Sequence, residues 1–140
     1  MKEPRNILLA YVEGSNLDGI AGELEGRFDE FVTSRQWRAR MVCVINQHLP
    51  PGPHHRAGDL PEWDLGLNFS LPDRSDPDVS WIEDVHATVD FLSMLNENFG
   101  RNFVIAVHDC ARGFNEDVAT VGSLPPDLGQ IIFMIDEHRG

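Results

Sequence analysis

DLGLNFSL, residues 64–71, alternates without a break: Leu65, Leu67, Phe69 and Leu71 point one way, Gly66, Asn68 and Ser70 the other. Successive side chains of an extended chain lie on opposite faces, so the pattern predicts a half-buried β-strand. What precedes it decides which sheet that strand joins. Met41–Ile45 (MVCVI) is a short apolar run with strand character, and NQHLPPGPHHRAGDLPEW follows it. That stretch is dense in proline and glycine and reads as an exposed loop, so no helix separates the two strands.

A strand-and-helix unit stands on either side of this pair. Upstream, Ile7–Val12 (ILLAYV) is a continuous apolar run broken by Gly14, Ser15 and Asn16. Leu17, Ile20, Ala21, Leu24, Phe28, Phe31 and Val32 then recur at helical spacing, predicting a helix over about residues 17–36. Ser15 with Asp18 resembles a capping arrangement, and Glu23 with Arg27 is a favourable pair one helical turn apart. Downstream, Pro72–Asp78 reads as a loop, and Ser80 with Glu83 as a capping box opening a second helix. Ile82, Val85, Val89, Leu92, Leu95 and Phe99 form its core face, and Gly100 sits where a C-terminal glycine belongs.

Phe103–Val107 is the fourth strand, Gly113 marks a turn, and Asp117–Val121 is a fifth, hairpin-paired strand. The tail, PPDLGQIIFMIDEH, fits a helix opened by prolines slightly better than a strand. The order predicts an α+β fold over one domain, residues 1–140: a ferredoxin-like split βαβ antiparallel sheet with both helices on one face. A hairpin strand and a C-terminal helix (or strand) are added to it. Because ILLAYV, MVCVI and FVIAV are apolar on both sides, the other sheet face needs cover, from the C-terminal segment or from a second copy of the chain.

Composition narrows the function. At 41% hydrophobic and 24% charged residues, the chain has the make-up of an ordinary globular protein. It has neither a membrane-length apolar run nor a signal-peptide pattern, so cytoplasmic residence is expected. Eleven basic residues against 23 acidic ones give a net charge of -12, which repels phosphate backbones and argues against nucleic-acid binding. The two cysteines are too few for a disulfide framework, and Cys43, inside MVCVI, reads as a small buried hydrophobe.

The chemistry-bearing candidates lack motifs. His108 and Cys110 sit at the end of the fourth strand, with Asp109 between them pointing away, which permits a Cys–His pair. His48, His54 and His55 match no compact metal-ligand spacing, and no metal or cofactor is expected. Glu83–Asp84, neighbours on a helix, diverge and cannot act jointly on one atom, and Glu116–Asp117 reads as a solvated hairpin edge. EGSNLDGIAG contains glycines without a phosphate-binding pattern.

The stronger constellation concerns binding. Trp63 and Trp81 flank an acidic segment holding Asp59, Glu62, Asp64, Asp73, Asp76, Asp78, Glu83 and Asp84, where Arg74 is the lone basic residue. Tryptophan among carboxylates suits an interface for a basic partner. The leading expectation is thus a non-enzymatic, acidic protein-binding domain, in concrete form an inhibitor or immunity protein masking a nuclease toxin. The alternative is a small enzyme or ligand-binding protein with a pocket at the His108/Cys110 strand end. A homodimer through the open sheet face is a third possibility.

Overall fold

The computed structural model describes residues 4–14, 16–48 and 63–139. The elements are β1 (Asn6–Val12), α1 (Ala21–Thr33), β2 (Val42–His48), β3 (Trp63–Leu71), α2 (Trp81–Phe99), β4 (Phe103–Asp109), β5 (Phe114–Val121) and α3 (Leu128–Glu137). The fold is α+β: one open, five-stranded antiparallel sheet in the order β2-β3-β1-β4-β5, with three helices.

The alternation of direction read from DLGLNFSL holds, but the strand is more than half-buried, because Gly66 and Ser70 on the other side are buried too. Leu65, Leu67, Phe69 and Leu71 are buried and join Leu8, Ala10 and Val12 of β1 and Phe103, Ile105 and Val107 of β4 in the core. Phe28 of α1, Val85, Phe91 and Leu92 of α2, and Ile131 and Ile135 of α3 belong to the same cluster. Aromatic packing knits α1 to its neighbours: Phe28 meets Phe91 and Phe103 edge-on at 5.3 and 6.3 Å, and Phe31 stacks on Phe91 at 4.1 Å. Each such pair adds about 0.5–1.5 kcal/mol beyond area burial.

Several boundaries differ from the sequence pattern, each for a local reason. α1 begins at Ala21, not Leu17, because Gly19 takes φ 86°, incompatible with a right-handed helix. Leu17 is nonetheless fully buried, and its carbonyl accepts from the amides of Ile20 and Ala21. The helix ends at Thr33, where the Trp37 indole turns back to donate to the Val32 carbonyl at 2.9 Å. The Ser15 cap lies outside the described residues. Ser80 stands at the N-cap of α2, yet its hydroxyl donates to Asp78 rather than capping the helix, so no capping box with Glu83 forms. Gly100 is the left-handed C-cap, with φ 66°.

β5 starts at Phe114, three residues before the expected Asp117, because the β4–β5 turn is tight. Asp109 accepts from the amides of Ala111 and Arg112, and Gly113, at φ 74°, donates its amide to the Asp109 carbonyl. The tail is helical: Asp127 caps α3 by accepting from the Gln130 amide. Of the two covers expected for the second sheet face, the C-terminal segment is not the one, since Ile131 and Ile135 sit in the main core with α2. Cys43 is also placed differently from its reading as a buried hydrophobe. It is exposed, because β2 is an edge strand and Cys43 falls on the side away from the core. No helix among the described residues is long and apolar enough to cross a membrane.

Candidate functional site: an acidic cavity beside the second helix

A fully buried carboxylate organises the end of the molecule where β3 passes into α2. Asp84, in the first turn of α2, has no exposed surface. It accepts from the Arg35 guanidinium at 2.9 Å, from the Arg38 amide at 3.1 Å and from the Ala39 amide at 2.8 Å. Burying a carboxylate is costly unless it is paired and fully bonded, and here both conditions are met. The effect is to pin residues 35–39, within the connection from α1 to β2 that runs over residues 34–41, against α2. Asp84 is therefore removed from the acidic surface in which the sequence placed it.

That pinned connection forms one wall of a cavity of about 380 Å³. Arg38, Arg40 and Met41 come from it; Ser70 and Leu71 come from the end of β3; Asp73, Ser75, Asp76 and Asp78 come from the loop before α2; Trp81 opens the helix. Arg139 braces the loop from outside. Its guanidinium donates to the carbonyls of Pro72 and Asp73 and to the Asp136 carboxylate, and it stacks 4.8 Å from the Trp81 ring. Trp81 is buried, and its indole Nε1 has no hydrogen-bond partner among the described residues. Asp78 accepts from both the amide and the hydroxyl of Ser80, which holds its carboxyl below the usual carboxylate range.

The rim is the unusual part. Asp73, Asp76 and Asp78 form no ion pair among the described residues. Met41 in the lining and Val79, next to Asp78 in the chain, are 54% and 65% exposed, high for apolar side chains. No family model, curated protein or solved structure matches this chain. The cavity's chemistry therefore has to speak for itself.

The predicted acidic constellation is split by the fold. Asp73, Asp76, Asp78 and Trp81 line the cavity, and Glu83 is joined to it through a 2.9 Å ion pair with Arg38. Trp63 and Asp64 lie at the opposite end of β3, about 25 Å away at about 3.3 Å per residue. There the Trp63 indole donates to Asn46. The two tryptophans thus do not flank one surface. Asp59 and Glu62 lie outside the described residues, as do His54 and His55. Sequence reading missed Arg38 and Arg40, which sit in a connection that no periodicity marks, and took Met41 and Ser70 only as strand residues, whereas β2 starts at Val42 and both line the cavity.

The other candidates fall elsewhere. His108 lies on β4 with its Nδ1 against the Asn115 side chain across the hairpin, while Asp109 is engaged with the turn amides. Cys110 is exposed, and its amide donates to the Arg5 carbonyl. Glu116 and Asp117 are exposed on the edge strand β5. No group of three or more His, Cys, Asp or Glu side chains among the described residues is placed to hold a metal ion. A second hollow of about 430 Å³, between β5 and α3, contains none of the predicted residues, and its one carboxylate, Asp127, is occupied as a helix cap.

Proposed function

We propose that the protein is a non-enzymatic, acidic binding domain whose docking face is centred on the loop from Asp73 to Val79. The observation that carries this is the unpaired carboxylate rim beside exposed Met41 and Val79. The use of the arginines supports it. Arg35, Arg38, Arg74 and Arg139 are tied to carboxylates, Arg27 and Arg112 lie over Phe99 and Phe114, and Arg101 donates to the Asn16 carbonyl. With so much of the positive charge engaged internally, a chain of net charge -12 offers carboxylates outward. A partner of opposite charge, steered by that field and anchored on the apolar pair, fits the rim. A basic protein such as a nuclease toxin, masked by this chain as by an inhibitor or immunity protein, is the concrete form of the reading.

We also propose a ferredoxin-like frame for the fold. The order β2-β3-β1-β4, with helices in the β1–β2 and β3–β4 connections, supports a ferredoxin-like split βαβ frame extended by β5 and α3.

The test is capture of a basic protein from extract at low salt. The on-rate should fall steeply as ionic strength rises. Replacing Asp73, Asp76 and Asp78 together by asparagine should abolish capture while the circular-dichroism spectrum shows the chain still folded. Retention of no protein, together with a small molecule that raises the melting temperature, would refute the proposal.

A further inference from the structure

The side of the sheet away from the core cluster forms a grid of aligned rows. Leu9 stands between Asn68 and Ala106, with Cys43 and Asp117 at the ends of that row. Tyr11 stands between Gly66 and Val104, with Ile45 and Thr120 outside them. Ile7 stands between Ser70 and His108, with Asn115 beyond. Leu9 and Ala106 are buried hydrophobic residues that do not belong to the core cluster. In a chain with 34 charged residues, Asp117 is the one carboxylate in these rows, and Asp64 flanks them.

From these features we propose that this face is where two copies of the chain meet, sheet on sheet. Size permits it. Five strands spaced by about 4.8 Å and about seven residues long give a face of roughly 550 Å² per copy, so a pair clears the roughly 1,000 Å² that a specific interface needs. Charge favours it: two molecules of net charge -12 repel at nearly any orientation, and the three rows of this face hold one carboxylate, Asp117. Shape allows it, because Ala106 leaves low ground beside the larger Leu9, Tyr11 and Val104, and aligned sheets pack about 10 Å apart by interdigitating side chains.

Sedimentation equilibrium on the full chain tests the proposal. The expected mass is that of two chains at about 100 µM, dissociating on dilution. Association should tighten as salt rises, because screening weakens the repulsion between like-charged copies. Replacing Ile45 and Val104 together by arginine should raise the dimer dissociation constant by at least about tenfold with an unchanged circular-dichroism spectrum. Should that variant fail to fold, alkylation of the unaltered protein decides: Cys43 lies on the face and Cys110 beyond it in the hairpin. Cys43 should be protected increasingly at higher protein concentration and Cys110 should not. A single-chain mass at high concentration and high salt would overturn the proposal. So would a dimer indifferent to the arginines, or equal protection of both cysteines.

Discussion

The two faces of the sheet are held together by opposite means. Toward the helices, large side chains fill space: Phe28, Phe69 and Phe103 are almost wholly buried and interlock with leucines from four elements. On the other face a missing side chain does the work. A Cβ on Gly66 would stand 1.9 Å from the Ala10 carbonyl oxygen and 2.6 Å from the Tyr11 ring, so β1 and β3 approach there because residue 66 is glycine. Tyr11 lies across that gap, and its hydroxyl donates to the Asn68 side chain at 2.6 Å. One face should therefore be broken by taking atoms away and the other by adding them.

The largest effect should come from Phe28→Ala. Truncating a fully buried phenylalanine that contacts two other rings should cost about 3–5 kcal/mol in urea unfolding. Gly66→Ala makes the opposite change in volume and should still destabilise, by about 1–3 kcal/mol, through strand displacement. A neutral or stabilising result would erase the contrast between the faces. The smallest effect belongs to Tyr11→Phe, about 1 kcal/mol for one lost hydrogen bond.

Tyr11 also supplies a signal of its own. Burial is the main cause that pushes its phenol up to about 12 from an ordinary 10, and the hydrogen bond to Asn68 opposes it. A tyrosine whose pKa is higher in the fold adds stability that is whole below pH 10 and is lost as the pH climbs toward 12. Tyr11 is the only tyrosine in the chain, so absorbance titration of phenolate reads this one group. A midpoint near the ordinary value would show that the open face does not shelter it.

Periodicity made the helix-facing side legible. The leucines and phenylalanine alternating in DLGLNFSL, the spacing from Leu24 to Phe28 and the glycine at position 100 each carry their meaning in a few neighbouring residues, and the structure puts all of them where the pattern does, though Gly66 and Ser70 between the leucines are buried too. The candidate site was legible only in part, because it depends on residues far apart in the chain. Asp84 looks like one more carboxylate in an acidic run, and only the arrival of Arg35 and two backbone amides 45 to 49 residues upstream makes burial tolerable. Trp63 and Trp81 look like a pair until the length of β3 separates them. Cys43 resembles its apolar neighbours, and its exposure follows from β2 being an edge, which is a property of the whole sheet.

Asp84 has a further bearing on recognition. A binding surface assembled from loops ordinarily gives up conformational freedom when its ligand arrives, and affinity falls by that amount. Here the segment carrying Arg38 and Arg40 is fastened to α2 by a carboxylate that no ligand touches, and Arg139 fastens the facing loop. Most of the ordering of both walls is thereby completed during folding. For the docking proposed above, the ordering of these segments is then not subtracted from the affinity.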